Sequence, residues 1–128
     1  MAIARALLGR GEYTLDAMEL AMEITPAEVK RRLDAGEKLH LIDVREPGEF
    51  ATSSIAGGEL IPMNTVPQHL QRLERLADGA PLIVFCHHGM RSLMVVNWLR
   101  EKGVAECSSM SGGIDQWSLS IDPAVPRY

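Results

Sequence analysis

The feature that most constrains the fold is a continuous apolar run, Leu82–Phe85, which lies between the turn-forming segment Asp78–Pro81 and Cys86. A strand that is apolar at every position must be buried on both faces, which is typical of a parallel sheet covered by helices on each side. The next segment, residues 91–102, is apolar around most of a helix, so we expect it to be well buried. The sequence therefore predicts an α/β core with Cys86 between its most apolar strand and helix.

The remaining segments alternate between strand and helix patterns. Thr25–Glu28 is a capping box with proline at the first helical position, which predicts a helix from there to Gly36. Residues 39–44 form a predicted strand that ends at Pro47-Gly48, and residues 60–62 a very short one. Residues 66–76 have the spacing of an amphipathic helix, and residues 107–110 predict a last strand. This alternation favours an α/β fold with a mainly parallel sheet.

Length and charge restrict the classes of partner. The chain has 128 residues, the size of one domain, and its net charge of −4 disfavours nucleic acid and anionic membranes as partners. No run reaches the roughly 18 apolar residues that span a bilayer, and no signal peptide is evident. We expect a cytoplasmic protein. A weak stripe of Leu15, Met18 and Met22 predicts an N-terminal helical extension over residues 1–22, followed by one domain with an irregular tail over residues 23–128.

Cys86 follows a strand at the edge where parallel sheets bind ligands. A loop that turns from strand into helix can direct its N–H groups inward, and the helix start adds partial positive charge. Both favour the thiolate, which is the nucleophilic form of cysteine. His87, His88 and Arg91 add potential cations. Gly89 lets the backbone bend, so the loop predicts a reactive thiolate in a cradle for an anionic substrate.

Three segments together resemble the rhodanese family in their order and approximate spacing. They are Ile-Asp-Val-Arg-Glu-Pro-Gly-Glu-Phe at 42–50, the loop from Cys86 to Ser92, and Gly-Gly-Ile-Asp-Gln-Trp at 112–117. The resemblance covers residues 23–128 and implies a five-stranded, mainly parallel sheet with helices on both faces. The chain departs from the family's Gly-His-Ile, which is replaced by Ser53-Ser54-Ile55.

The resemblance also implies a thiosulfate sulfurtransferase that works by a ping-pong reaction through a persulfide on Cys86. Sulfur would pass from a small anionic donor such as thiosulfate to a thiol or cyanide, or to a protein sulfur acceptor. The family's loop implies a substrate-binding role for His87, His88, Gly89, Met90 and Arg91. Asp43, Arg45 and Ser92 would brace the site from behind. The resemblance implies no metal or organic cofactor.

Other interpretations stay open. Related phosphatases place an arginine six positions after the cysteine, whereas Arg91 is five positions after Cys86, and the shorter loop favours a sulfur atom over phosphate. A sulfur carrier would keep the persulfide and serve a protein partner with little small-molecule turnover. A metal site built from Cys86, His87 and His88 is disfavoured, because adjacent side chains on a tight loop diverge. Cys107 is predicted to be a core thiol, the alternative being a disulfide with Cys86.

Overall fold

A computed structural model describes residues 21–128 of the chain, and the predicted helical extension lies outside the described residues except for its last two positions. Five strands form one sheet: β1 Glu23–Ile24, β2 His40–Asp43, β3 Glu59–Leu60, β4 Leu82–Phe85 and β5 Cys107–Met110. Their order is β1-β5-β4-β2-β3, and every neighbouring pair is parallel. The predicted five-stranded parallel sheet is confirmed.

Helices connect the strands as in other parallel sheets. They are α1 Pro26–Asp34, α2 Pro47–Thr52, a 3₁₀ helix Met63–His69, α3 Leu70–Gly79, α4 Met90–Glu101 and α5 Gly113–Ser120. Pro47, predicted only to end a strand, instead begins α2, because Glu46 and Glu49 form a capping box there. The helix predicted from Val66 starts later, at Leu70, since Pro67 has no N–H to donate to an α-helical ladder. Within residues 21–128, no helix has the length and apolarity needed to cross a membrane.

The side chains of β4 alternate between two cores, one on each face of the sheet. Leu82 and Val84 face a core closed by α3 and α4, whereas Ile83 and Phe85 face a core closed by α1 and α5. All four side chains are fully buried. Helices therefore cover both faces of the sheet, and the buried central strand β4 places Cys86 at the carboxyl end of the strands.

A buried ion pair organises the chain after β2. Arg45 donates from Nη2 to Asp43 Oδ2 at 2.6 Å and from Nε to Asp43 Oδ1 at 2.9 Å, and both side chains are fully buried. Arg45 Nη2 also donates to the carbonyl oxygen of Ser53 at 2.6 Å. Because buried charges are tolerated only when they are paired and hydrogen-bonded, this pair fixes the path of the chain on either side of α2.

We predict that Asp43→Asn lowers the free energy of unfolding by about 3 to 5 kcal/mol, because it leaves the Arg45 guanidinium buried without its carboxylate. Denaturant unfolding followed by circular dichroism measures this change. The control is Asp34→Asn, whose partner Lys30 lies with it on the exposed surface of α1. That variant should lose less than about 1 kcal/mol. Similar small losses in the two variants would contradict the prediction.

Candidate active site

The sulfur of Cys86 lies at the centre of the loop that joins β4 to α4. It accepts hydrogen bonds from the main-chain N–H groups of Gly89 at 3.1 Å and Ser92 at 3.3 Å. The residue is 1% exposed. Main-chain donors aimed at a sulfur stabilise the thiolate, and the start of α4 adds partial positive charge at the same point. The geometry therefore agrees with an anion nest around this sulfur.

The loop can direct N–H groups inward because its carbonyl groups are held from outside by α5. Cys86 O accepts from the N–H of Ile114 at 2.9 Å, and His87 O accepts from the N–H of Asp115 at 3.1 Å. Gly113 allows this approach, since a β-carbon at that position would overlap both carbonyl oxygens. Its φ of 59° is also in the left-handed region that favours glycine. The first turn of α5 is thus the outer wall of the loop.

Ser92 packs against the thiol from the inner side and is fully buried. Its Oγ lies 3.5 Å from Cys86 Sγ, donates to Gly89 O at 3.2 Å and shares a 2.7 Å hydrogen bond with Ser109 Oγ. Ser109, on β5, was missed by the sequence analysis, because a serine in a short strand has no pattern that points to a neighbouring loop. The two hydroxyls fix the loop to the sheet.

Arg91 is bound to a carboxylate that the sequence analysis did not single out. Its guanidinium donates to Glu49 Oε1 at 2.8 Å and Glu49 Oε2 at 3.0 Å, a bidentate pair between α4 and α2. Hydrogen bonds from Arg91, and further ones from Glu46 N–H and the Tyr128 hydroxyl, lower the pKa of Glu49 to about 2. The pKa of Arg91 is raised, mainly by Glu49, with a contribution from the charge of Cys86. The arginine expected to orient the loop or the substrate is therefore charged and paired.

Asp43 and Arg45 do not touch the thiol but connect to the same network. Arg45 Nη1 donates to the hydroxyl of Tyr128 at 2.9 Å, and that hydroxyl donates to Glu49 Oε2 at 2.7 Å. Burial opposes the charge of Arg45, yet its hydrogen bonds to Asp43 and Tyr128 outweigh burial and raise its pKa. Tyr128 was missed because the sequence analysis treated the segment after α5 as an irregular tail.

The two histidines and the methionine of the loop have different surroundings. The His87 ring is stacked between His88 and Tyr128, with both pairs of ring centroids 3.9 Å apart. Burial lowers the pKa of His87 from its ordinary value, and His88 lowers it further, so His87 is neutral near pH 7. His88 and Met90 are exposed, Met90 at 75%. His87 is thus covered by its neighbours, whereas the side chains of His88 and Met90 face solvent.

One trio of side chains in residues 21–128, His87, His88 and Asp115, brings its potential metal-ligating atoms within 4.8 Å of one another. Imidazole lone pairs lie in the ring plane, and the planes of these two rings are stacked at an angle of 27°. The lone pairs of the two rings therefore lie in separate, stacked planes and do not point at one shared ion. The Asp115 carboxylate is also bound to Arg127 Nε at 2.9 Å. We assign no metal to this trio.

Cys107 is a core thiol, as predicted. It is fully buried on β5, and its sulfur donates to Val104 O at 3.3 Å. Burial raises the pKa of this thiol above its ordinary value. Both cysteines are free, and their surroundings differ because only the sulfur of Cys86 has main-chain N–H groups directed at it.

Comparison with known proteins matches the chain and its fold to one family. A family model described as "Rhodanese-like domain" matches residues 25–120. Over 119 residues, the chain is 33% identical to a maize protein named adenylyltransferase and sulfurtransferase MOCS3-2. The match covers 90% of this chain and 25% of the maize protein. The chain is 33% identical over 101 residues to the putative sulfurtransferase YtwF of Bacillus subtilis, covering 79% of this chain and 94% of that protein.

Comparison with solved structures leads to the same family of proteins. The crystal structure of a rhodanese-related protein from Thermoplasma volcanium superposes with a TM-score of 0.70 at 30% identity, covering 84% of this chain and all of that one. The human single-domain sulfurtransferase TSTD1 superposes with a TM-score of 0.67 at 25% identity, covering 79% of this chain and 98% of that one.

We predict that a thiol reagent such as iodoacetamide modifies Cys86 at least about tenfold faster than Cys107 in the folded protein, since alkylation requires the thiolate. Both cysteines are buried, but the raised pKa of Cys107 keeps its thiol protonated, whereas main-chain N–H groups are directed at the Cys86 sulfur. Peptide mapping by mass spectrometry measures the two rates. Cys107→Ala should retain the fast reaction, and Cys86→Ser should lose it. Faster modification of Cys107 would show that these surroundings do not control reactivity.

A second prediction concerns the dependence of stability on pH. The pKa of Glu49 falls from 4.5 to about 2 on folding, so its contribution is complete above pH 4.5 and is lost as the pH falls toward 2. Wild type should exceed Glu49→Gln by about 1 to 2 kcal/mol in unfolding free energy at pH 7. The difference should shrink steadily below pH 4.5. Denaturant unfolding of both proteins between pH 7 and pH 3 tests this, and a difference that grows at low pH would contradict it.

Proposed function

The chain belongs to the rhodanese-like domain family, and from that membership we propose that it is a sulfurtransferase that carries sulfur as a persulfide on Cys86. The observation that carries the proposal is the pair of N–H groups, from Gly89 and Ser92, that donate to the Cys86 sulfur in a loop held open by α5. A sulfur in such a cradle is both nucleophilic and able to bear negative charge.

In the first half-reaction, the Cys86 thiolate attacks the outer sulfur of a donor such as thiosulfate. A new S–S bond forms to Cys86, the bond between the two sulfurs of thiosulfate breaks, and its electron pair leaves with sulfite. The enzyme then holds a persulfide whose negative charge lies on the outer sulfur. The N–H groups of Met90 and Arg91 begin α4 and have no acceptor within the helix, so they are available to receive that charge.

In the second half-reaction, a thiophilic acceptor attacks the outer sulfur. With cyanide, a C–S bond forms, the S–S bond to Cys86 breaks, and thiocyanate leaves while the Cys86 thiolate is restored. A thiol acceptor would take the same sulfur as its own persulfide. His88 and Met90 are the exposed side chains of the loop, so they would contact the donor and the acceptor first.

A sulfur carrier that serves a protein partner is the second candidate, and the charges around the loop favour it. Three arginines in the network around the loop are each bound to a carboxylate: Arg91 to Glu49, Arg45 to Asp43 and Arg127 to Asp115. A dianion such as thiosulfate would therefore meet main-chain N–H groups and no unpaired guanidinium among these. Slow turnover on thiosulfate would follow, with a persulfide or thiol of another protein as the physiological partner.

The chain spans about a quarter of the maize relative. That relative's name joins an adenylyltransferase to a sulfurtransferase, which is compatible with a domain that passes sulfur within a larger protein. For this chain we propose the sulfur transfer alone. Whether the partner is a small molecule or a protein is decided by the rate of turnover.

We predict that incubation with thiosulfate adds about 32 Da to the intact mass, the mass of one sulfur bound covalently to the nucleophile. The adduct should be absent in Cys86→Ser, present in Cys107→Ala, and removed by cyanide with release of thiocyanate. Intact-mass spectrometry and a colorimetric thiocyanate assay measure the two steps.

The outcomes separate the candidates. Repeated turnover supports a small-molecule sulfurtransferase, and a stable persulfide with negligible turnover supports the carrier. Absence of the adduct with thiosulfate and with a low-molecular-weight persulfide donor would contradict both. Hydrolysis of an aryl phosphate that is lost in Cys86→Ala would instead identify a phosphatase.

A further inference from the structure

The segment that follows α5, residues 121–128, is anchored so that it delivers Tyr128 to the active-site loop. Val125 is buried in the core that contains Phe85 and Trp117. The Ser53 hydroxyl donates to Pro126 O at 2.6 Å, and Val125 N–H donates to Asp122 O at 3.1 Å. The segment predicted to be an irregular surface tail therefore has a defined path that ends beside the loop.

The hydroxyl of Tyr128 joins the two ion pairs behind the thiol. It accepts from Arg45 Nη1 at 2.9 Å and donates to Glu49 Oε2 at 2.7 Å. One of these partners belongs to the fully buried pair with Asp43, and the other to the partly exposed pair with Arg91. The hydroxyl is thus the link between the side chains of the two pairs, beside a direct hydrogen bond from Arg45 Nη1 to the main-chain oxygen of Glu49 at 3.3 Å.

The carboxylate of Glu49 is held by four hydrogen bonds in this arrangement. Oε1 accepts from Arg91 Nη1 and from the N–H of Glu46 at 3.0 Å, while Oε2 accepts from Arg91 Nη2 and from Tyr128. Without the Tyr128 hydroxyl, Oε2 would keep only Arg91, which belongs to the loop itself. The Glu46 N–H on Oε1 would then anchor the carboxylate outside the loop without help from Tyr128, so the Arg91 end of α4 would be held less firmly beside Cys86.

The ring of Tyr128 has a second contact with the loop. It lies parallel to the His87 imidazole, at an angle of 9° and a centroid distance of 3.9 Å. His87 is the residue after the nucleophile, and its carbonyl is bound by α5. The ring and the hydroxyl therefore restrain opposite ends of the same loop, at His87 and at Arg91.

We infer that Tyr128 is a positioning residue, whose hydroxyl fixes Glu49 and, through it, the Arg91 end of the loop around Cys86. The inference rests on the proposed function for the persulfide measurement below, and on the contacts alone for the alkylation measurement. Hydrogen bonds to charged groups are stronger than neutral ones, so one such bond is sufficient to change how well the loop N–H groups are aligned.

Tyr128→Phe removes the hydroxyl and keeps the ring. The ring therefore still stacks on His87 and still shields that part of the loop. We expect the rate of persulfide formation per titrated Cys86 to fall roughly 5- to 10-fold, which is less than the full loss of a hydrogen bond to a charged group because the hydroxyl acts on the loop through Glu49. Alkylation of Cys86 by iodoacetamide should slow by at least about threefold, since misaligned N–H groups stabilise the thiolate less.

A double-mutant cycle with Glu49→Gln distinguishes positioning from a general effect on the fold. If the hydroxyl acts through the Glu49 carboxylate, then Tyr128→Phe should change both rates less than about twofold in the Glu49→Gln background. A residue that only stabilises the fold would have the same effect in both backgrounds. The matched control is Ser120→Ala, which removes an exposed hydroxyl whose hydrogen bonds stay within α5 and should leave both rates within about twofold.

Unchanged rates in Tyr128→Phe, or an equal effect in the two backgrounds, would overturn the inference. Melting temperatures recorded for each variant show that the comparison is made on folded protein. The failure of the proposed function is recognised separately, because the wild-type protein would then form no persulfide. The alkylation rates of Cys86 in the four proteins of the cycle would still decide whether Tyr128 positions the loop around Cys86.

Discussion

The buried ion pair between Asp43 and Arg45 is the interaction on which the rest of the site depends. It lies at the end of β2, directly beside the end of β4, because Asp43 is in register with Phe85. The N–H groups of a fully buried guanidinium need hydrogen-bond acceptors. Those of Arg45 donate to Asp43, to the carbonyl oxygen of Ser53 and to the Tyr128 hydroxyl. Each of those bonds fixes a different part of the chain, so one charge pair orders a strand end, the exit of α2 and the segment after α5.

A second constraint acts from the other side of the loop. The first N–H groups of a helix lack acceptors within that helix, and α5 uses two of them to bind the carbonyl oxygens of Cys86 and His87. Turning those carbonyls outward leaves the following N–H groups free to point inward, and those of Gly89 and Ser92 reach the sulfur. The site therefore arises from main-chain geometry between two helix starts, with few charged side chains near the sulfur.

The parts of this arrangement that could be predicted from the sequence are those with a local pattern. The apolar run Leu82–Phe85 identified the central strand, and the position of Cys86 after it indicated the loop that surrounds the sulfur with N–H groups. Glu49 and Tyr128 could not be found in this way, because each becomes part of the site only through partners 42 and 79 residues away in the chain. The start of α2 at Pro47 was missed for a different reason: the capping box of Glu46 and Glu49 outweighs the tendency of Pro-Gly to end regular structure.

The pairing of the arginines has a consequence for how negative charge is stabilised. Arg91 is held by Glu49, so negative charge on the Cys86 sulfur would meet fixed main-chain dipoles and little net positive charge. Dipoles that are already aligned do not reorganise when the charge moves from Sγ to the outer sulfur of a persulfide. An unpaired guanidinium at the same place would bind small anions strongly and retain an anionic product such as sulfite. For the proposed sulfur transfer, a site built from N–H groups and a paired arginine therefore favours holding a sulfur atom between two partners over holding the anion that delivers it.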